Sequence, residues 1–272
     1  MSYSNCDDVF SESISEIYNE SLVPMIFDQY AAVVSLMLSG VQKGSLLEVA
    51  AGSGAVTRSL AASMPPQISI TATDLNQSMI DRAIQVGTAR AVQWRQADVM
   101  DLPFDDASFD VVVCQFGAMF FGSKSAAFAE VRRVLSPGGR FIFSVWNDIK
   151  VNEFAYEVTR SLAAFFPDDP PKFFERIPYG YHHCQTIMND LAAAGFTCAP
   201  QIDEMSFTSR ASTAHELATA LCMGTPLRSE IEQRRADGLS DAVNYVGASV
   251  ERRFGKSNLE GTMSAKFVNQ KK

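Results

Sequence analysis

Glu48, Ala50, Gly52 and Gly54 alternate through Leu46–Leu47–Glu48–Val49–Ala50–Ala51–Gly52–Ser53–Gly54, an apolar run ending in a small-residue turn. A helical pattern from Val56 to Ala62 follows. Glycine lets a backbone pass close to a ligand because no Cβ intervenes. The first turn of a helix adds unpaired N–H groups and a positive dipole end. Residues of these types in this order suit a nucleotide-like cofactor. Asp74 lies twenty residues beyond Gly54, and Asp98 follows a third apolar segment. A carboxylate at the first position can accept hydrogen bonds from both hydroxyls of a ribose. One at the second can accept from an exocyclic amine.

Spacing argues against two nucleotide sites. A dinucleotide turn needs G-x-G-x-x-G/A. Counting from Gly52 the third position is Thr57, and counting from Gly54 the second is Val56. A phosphate-binding P-loop would need Gly-Lys-Ser/Thr, which is lacking here.

The elements that must position these residues follow from periodicity. Apolar strands are expected at Ser45–Val49, Ile68–Asp74, Val92–Gln96, Phe109–Gln115 and Gly139–Trp146. Helices are expected at Ala55–Ser63, Gln77–Val86 and Lys124–Leu135, with an earlier one at Tyr30–Ser39. This alternation is that of a doubly wound parallel sheet. Such sheets bind ligands outside the carboxyl ends of their strands, where the residues above fall. After Trp146, helices are expected at Asn152–Phe166, His183–Ala194 (closed by Gly195), Ala214–Cys222, Leu227–Arg235 and Asp241–Phe254. Strands are expected at Phe196–Phe207 and Glu260–Asn269. Asn147–Tyr181 falls where an insertion could form a lid.

Together the strand ends resemble the class I S-adenosylmethionine-dependent methyltransferases. Glu48-x-Ala50-x-Gly52-x-Gly54 is similar to the family's first motif, with Ala50 in place of its first glycine. Asp98-Val-Met-Asp-Leu-Pro-Phe-Asp-Asp-Ala-Ser-Phe-Asp110 resembles the ubiquinone/menaquinone-biosynthesis branch, and so does Leu135-Ser-Pro-Gly-Gly139. The resemblance covers residues 40–146 well. It implies a single domain over 1–272, α/β and Rossmann-like. Within it, 40–146 would be the cofactor-binding core and 147–260 lid, substrate-covering and sheet-edge segments. The seven-stranded mixed sheet would have its last strand antiparallel, with a helical N-terminal cap and a helical insertion.

The resemblance also implies roles. S-adenosyl-L-methionine would be the cofactor, with Gly52, Ser53 and Gly54 near its methionine part. Asp74 would hold the ribose, Leu75 would pack on the adenine, Asp98 would accept from its amine, and the Val99 backbone would donate to the ring. Gln115 and Phe116 would line the cofactor, and Glu48 would organise the glycine loop. Arg58 has two readings, anchor for the cofactor carboxylate or helix-face ion pair. Asp74 and Asp98 can also be read as cap or turn residues. The segment from Tyr18 to Tyr30 is either a cofactor cap or an amphipathic helix packed on the sheet.

The acceptor side carries fewer signals. Methyl transfer from a sulfonium needs alignment and exclusion of water, and a base only if the acceptor must lose a proton. The candidates are Tyr181, His182 and His183, with Tyr179 and His215 behind them. His182 and His183, being adjacent, are expected to face different ways. Cys114–Gln115–Phe116–Gly117 lacks the Pro-Pro element of enzymes that methylate amino groups of nucleic acids. The expected acceptor is a small, largely apolar molecule, methylated on oxygen or carbon. A non-catalytic cofactor-fold binding module is the alternative, with a nicotinamide oxidoreductase behind it.

Net charge is -8 and the pI about 5.0, so a phosphate backbone is a poor partner. Arg132–Arg133, Arg234–Arg235 and Arg252–Arg253 are the densest basic pairs. Five cysteines without a C-x-x-C argue against disulfides or zinc, and no metal is expected. Met1–Ser11 does not read as a secretory signal. Val111–Phe121 is too short to span a membrane. A cytoplasmic protein is expected; the oligomeric state is open.

Overall fold

The computed structural model describes residues 12–272. The N-terminal reading of Met1–Ser11, and Cys6 with it, lies outside the described residues. Seven strands form one sheet in the order β3-β2-β1-β4-β5-β7-β6. They are β1 (Gly44–Glu48), β2 (Ile68–Asp74), β3 (Gln93–Gln96), β4 (Phe109–Gln115), β5 (Leu135–Trp146), β6 (Gln201–Thr213) and β7 (Ser257–Lys271). The helices are α1 (Glu12–Ile17), α2 (Asp28–Met37), α3 (Ala55–Ser63), α4 (Gln77–Val86), α5 (Lys124–Val134) and α6 (Glu153–Phe165). After them come α7 (Phe173–Arg176), α8 (Cys184–Ala193), α9 (Ala214–Met223), α10 (Leu227–Arg234) and α11 (Leu239–Phe254). A π-helical segment, Tyr18–Phe27, contains Pro24.

β1 pairs in parallel with β2 and β4, β2 with β3, and β4 with β5. Leu46, Leu47, Ile70, Ala72 and Val111 through Cys114 are buried, as in a parallel sheet covered on both faces. The last strand is antiparallel. Lys272 N–H donates to Gly139 O at 3.0 Å, while Asn147 N–H donates to Ser264 O at 3.0 Å. The end of β7 thus lies at the start of β5, and its middle at the end of β5.

The flanking helices of this sheet bury one face each. Val56, Thr57, Leu60 and Ala61 face inward from α3, and Ala127, Phe128, Val131 and Val134 from α5. Ser123 caps α5 by accepting from Ala126 N–H at 3.3 Å. Phe128, Phe141 and Phe143 meet with ring centroids 4.7–5.5 Å apart. Strand order reverses between β1 and β4, so the crevice for a ligand lies where those two strands end.

The chain divides into two compact units. One comprises Asp28–Val145, Tyr181–Met205 and Ala265–Lys272. The other comprises the segment ending at Phe27, Trp146–Gly180 and Ser206–Ser264. In the second unit Glu157 on α6 accepts from Arg253 Nη1 at 2.9 Å and Ser249 Oγ at 3.0 Å on α11. Arg176 on α7 pairs with Glu230 on α10 at 2.7 Å.

Two strands depart from expectation. β5 starts at Leu135 because Leu135 still pairs with Phe109, before a bulge that ends at Val111. β6 runs over Gln201–Thr213, not Phe196–Phe207. Phe196 instead closes α8: Gly195 N–H donates to Ala192 O and Phe196 N–H to Leu191 O, with Gly195 left-handed at φ 89°. That is a Schellman end, in which the following apolar residue folds back on the helix.

Candidate functional site

The loop after β1 is tied to both neighbouring strands. Val49 N–H donates to Val113 O and Ala51 N–H to Thr73 O, each at 2.9 Å. Ala50, Gly52 and Gly54 are left-handed, with φ of 52°, 55° and 83°. Asp74 fixes the turn: one carboxylate oxygen accepts Gly52 N–H at 2.8 Å and the other accepts Asn76 N–H at 2.8 Å. Its turn role is therefore real, and its spare lone pairs leave room for further donors. Arg58 donates from Nη1 to Ser53 O at 2.6 Å, so it braces the loop.

The glycines differ in function. A Cβ on Gly52 would meet nothing within 4 Å, so that position opens onto space. A Cβ on Gly54 would lie 3.0 Å from Trp94 Cη2 and 3.1 Å from Ala83 Cβ. Gly54 is thus needed for packing and for the left-handed residue preceding α3. Gly117, beyond β4, has no room for a Cβ against the Ala50 methyl, and Cys114 Sγ would be 2.8 Å away. Ala50 is accommodated because Gly117 faces it across the switch point. The Ser53 hydroxyl is buried in the loop and has no hydrogen-bond partner.

Thr57, the residue that breaks the dinucleotide spacing, donates from its hydroxyl to Glu48 Oε2 at 2.6 Å. It ties α3 to the end of β1. Burial pushes the Glu48 carboxyl up to about 8; the Thr57 bond opposes this and nearby Asp74 adds to it. Burial also raises Asp74, against the pull of its backbone donors. Burial lowers Arg58, against the fields of Asp28 and Glu48. Cys114, fully buried, is pushed up to about 12 and is no nucleophile.

Beside Asp74, Leu75 leaves 46% of its surface exposed, and Met100 leaves 39% exposed on the next loop. Among the described residues few large apolar side chains are exposed, and these two follow the ends of adjacent strands β2 and β3. Asp98 accepts Met100 N–H at 2.8 Å through one oxygen, so it builds the turn that carries Val99 and Met100. The Met100 thioether lies against Gly122, where a Cβ would be 3.8–3.9 Å from it.

Beyond β4, Gln115 is half-buried and Phe116 buried. Phe116 is left-handed at φ 53°, and its N–H donates to Ser144 O at 3.1 Å. The Tyr30 ring meets it edge-on at 5.1 Å. Lys124 Nζ donates to Met119 O and Phe121 O, both at 2.8 Å, and so holds the following turn. Burial lowers this lysine to about 8, with Asp190 opposing.

The candidate bases look different in three dimensions. Tyr181 is buried and donates its hydroxyl to Asp190 at 2.7 Å, with Lys124 Nζ 5.4 Å from its ring centroid. That is a structural phenol. The His182 and His183 rings do not face apart: their centroids are 4.0 Å from each other. His183 is exposed and precedes α8. In the second unit Tyr179 packs between Trp146 at 5.7 Å and Phe174 at 6.2 Å. Among the described residues no three His, Cys, Asp or Glu side chains converge to hold a metal.

Gly117, Met100 and Trp94 were not singled out by sequence. Trp94 alternates with polar residues in a short edge strand and leaves no periodic signal. Gly117 could have been found from Ala50, since an alanine where a glycine is usual asks for space opposite.

Residues 47–143 match the family described as a methyltransferase domain. The ubiquinone/menaquinone biosynthesis C-methyltransferase UbiE of Ectopseudomonas mendocina is 40% identical over 113 residues, which are 40% of this chain and 44% of that protein. The chain thus spans less than half the length of the curated relatives it matches. Among solved structures, phosphoethanolamine N-methyltransferase 2 of Haemonchus contortus, in complex with S-adenosyl-L-methionine, is similar with TM-score 0.57 and 16% identity. That match covers 97% of this chain and 60% of the other. The [4+2]-cyclase SpnF is similar with TM-score 0.54 and 18% identity, over 90% of this chain and 81% of the other. At such identities the likeness is one of fold.

Proposed function

We propose that this chain, which carries a class I methyltransferase domain across residues 47–143, is an S-adenosylmethionine-dependent methyltransferase of a small, largely apolar acceptor. The observation that carries this reading is the open face of Gly52 beside the unpartnered Ser53 hydroxyl and the loop-bound Asp74. When bound, the cofactor supplies a methyl group already activated on sulfonium sulfur. The chain binds, orients and excludes water.

In this reading Asp74 accepts from the ribose, and the apolar faces of Leu75 and Met100 receive the adenine. Asp98 keeps an oxygen for the adenine amine, with the Val99 backbone beside it. Ala50, Gly52 and Ser53 face the methionine part, and Gln115 and Phe116 bound the crevice. Glu48, with Thr57, and Arg58 act from behind the loop. Methylation on carbon or oxygen is preferred, in keeping with the quinone-biosynthesis relatives. The acidic chain makes a nucleic acid the less suitable acceptor. Among the described residues no helix is long and apolar enough to cross a membrane. A cytoplasmic setting is part of the same proposal.

Calorimetric titration with S-adenosylmethionine and S-adenosylhomocysteine, with NADH as control, tests the reading. Saturable binding of the first two alone is expected. Asp74→Ala should weaken that binding by about 1.5–3 kcal/mol, through the lost charge-assisted bonds and the loosened loop. Heat on adding NADH alone would sink the proposal. Binding without turnover of any acceptor would leave a binding module, an outcome worth testing because a [4+2]-cyclase shares the fold.

A further inference from the structure

We propose that Glu130 and Arg133 on α5 are positioning residues for the loop that carries Asp98, Val99 and Met100, and thereby set the preference for adenine. The inference rests on the cofactor reading above. The chain between Gln96 and Phe109 has no regular secondary structure. Its entry is tied to β2, where Ala97 N–H donates to Asp74 O at 3.0 Å, and Arg95 Nη1 donates to Pro103 O at 2.9 Å. Between them the bonds are local: Met100 N–H to the Asp98 carboxylate at 2.8 Å, and Asp101 N–H to Asp98 O at 3.1 Å, which fix the turn's shape.

Glu130 and Arg133 hold the far side of the turn. Glu130 Oε2 accepts Leu102 N–H at 3.0 Å, and Arg133 Nη2 donates to Leu102 O at 2.9 Å. Both backbone groups of Leu102 are thus held by one pair, and its side chain is buried. Arg133 Nη1 donates to Phe104 O at 2.7 Å and to Asp106 at 2.9 Å. Arg133 Nε and Nη2 each donate to Glu130 at 2.8 Å. These five bonds engage all five guanidinium N–H groups. The fork is planar and rigid, which a lysine cannot reproduce. The Glu130 carboxyl is held below its ordinary value, chiefly by the Arg133 hydrogen bonds, as a tightly made pair requires.

The consequence is a preorganised base-reading loop. Without the clamp the loop would populate the binding arrangement only part of the time, and apparent affinity falls by that fraction. The cost should fall hardest on contacts made by the loop itself. The probe for those contacts is the ligand pair S-adenosylhomocysteine and S-inosylhomocysteine, which differ in the exocyclic amine proposed for Asp98.

Arg133→Lys and Glu130→Gln in the full chain should weaken S-adenosylhomocysteine binding by about 5–20-fold. They should bring the adenosyl-to-inosyl preference toward unity and speed hydrogen exchange at the amides of residues 98–102. Arg210→Gln, which breaks the exposed Arg210–Glu260 pair, is the control and should change none of these. A lower melting temperature with unchanged affinity and unchanged preference would overturn the proposal, leaving the clamp a stability element only. If Arg133→Lys does not fold, Glu130→Gln, which keeps the arginine and its carbonyl bonds, decides between the two. Failure of the unsubstituted chain to bind S-adenosylhomocysteine would overturn the cofactor reading itself; normal binding with indifferent variants would overturn this inference alone.

Discussion

Burial holds the Glu48 carboxyl in its neutral form up to about pH 8, with the Thr57 hydroxyl at 2.6 Å. The consequence has a definite sign. The unfolded carboxyl titrates near 4.5 and the folded one near 8. The native state therefore keeps a proton that the unfolded state loses. Stability from this group is full below the lower value and is lost as pH rises through the upper one. Glu48→Gln should match the unsubstituted protein at pH 4 and exceed it at pH 9, by on the order of 2–4 kcal/mol. Urea unfolding at both pH values checks this, and a variant weaker at pH 9 would mean that Glu48 is ionised and paired. The family resemblance implied that Glu48 organises the loop. Residue types alone did not foretell the Thr57 bond, because Thr57 had been read only as a broken spacing. A hydroxyl one helical turn into α3 meets the end of β1 only after the strand, loop and helix have folded together.

At the scale of elements, the ends of β1 and β4 fit each other at one pair of positions. The Ala50 methyl occupies the space that a Cβ on Gly117 would need. Gly117→Ala should destabilise the protein by about 1–3 kcal/mol, as overpacking does. Adding Ala50→Gly should recover at least half of that, since Ala50 is itself left-handed at φ 52°. Denaturation midpoints of the single and double variants give the coupling; simple additivity would contradict the pairing. The helices with clear amphipathic stripes, α3 and α4, were legible to the residue, as were β2 and β4. The π-helical segment Tyr18–Phe27 was not, since Pro24 removes a donor and breaks the expected period. β6 was misplaced because polar residues dominate it and only Met205, Phe207 and Ala211 mark an apolar alternate face, while Phe196 offered a stronger apolar start.

Across the whole molecule, every residue proposed to touch the cofactor belongs to the sheet unit. Ligand bound to that unit stabilises it by mass action, by about 2.7 kcal/mol at a hundred times the dissociation constant. Scanning calorimetry with S-adenosylhomocysteine at that excess should raise the transition carrying the sheet unit by about 5 °C or more. A shift under about 1 °C would count against a site built from these residues. The fold by itself does not choose a reaction, as the likeness to a [4+2]-cyclase illustrates. In the proposed reading the loop after β1 and the carboxylates that follow it bind the cofactor.

The sequence by itself determined the sheet's parallel core, the class of cofactor its strand ends suit, and the positions of Glu48, Gly52, Asp74 and Asp98 at those ends. Period, glycine spacing and strand-end carboxylates are local properties, so they survive reading in one dimension. Only the tertiary structure decided which glycine opens onto space and which packs against Trp94. It also turned Arg58 onto Ser53 O, gave the Tyr181 hydroxyl to Asp190, and brought the tilted rings of His182 and His183 within 4.0 Å of each other. It alone brought Arg133 to the carbonyls of Leu102 and Phe104. Each of these depends on which distant backbone and side-chain groups burial leaves in need of a partner, and chain spacing does not encode that.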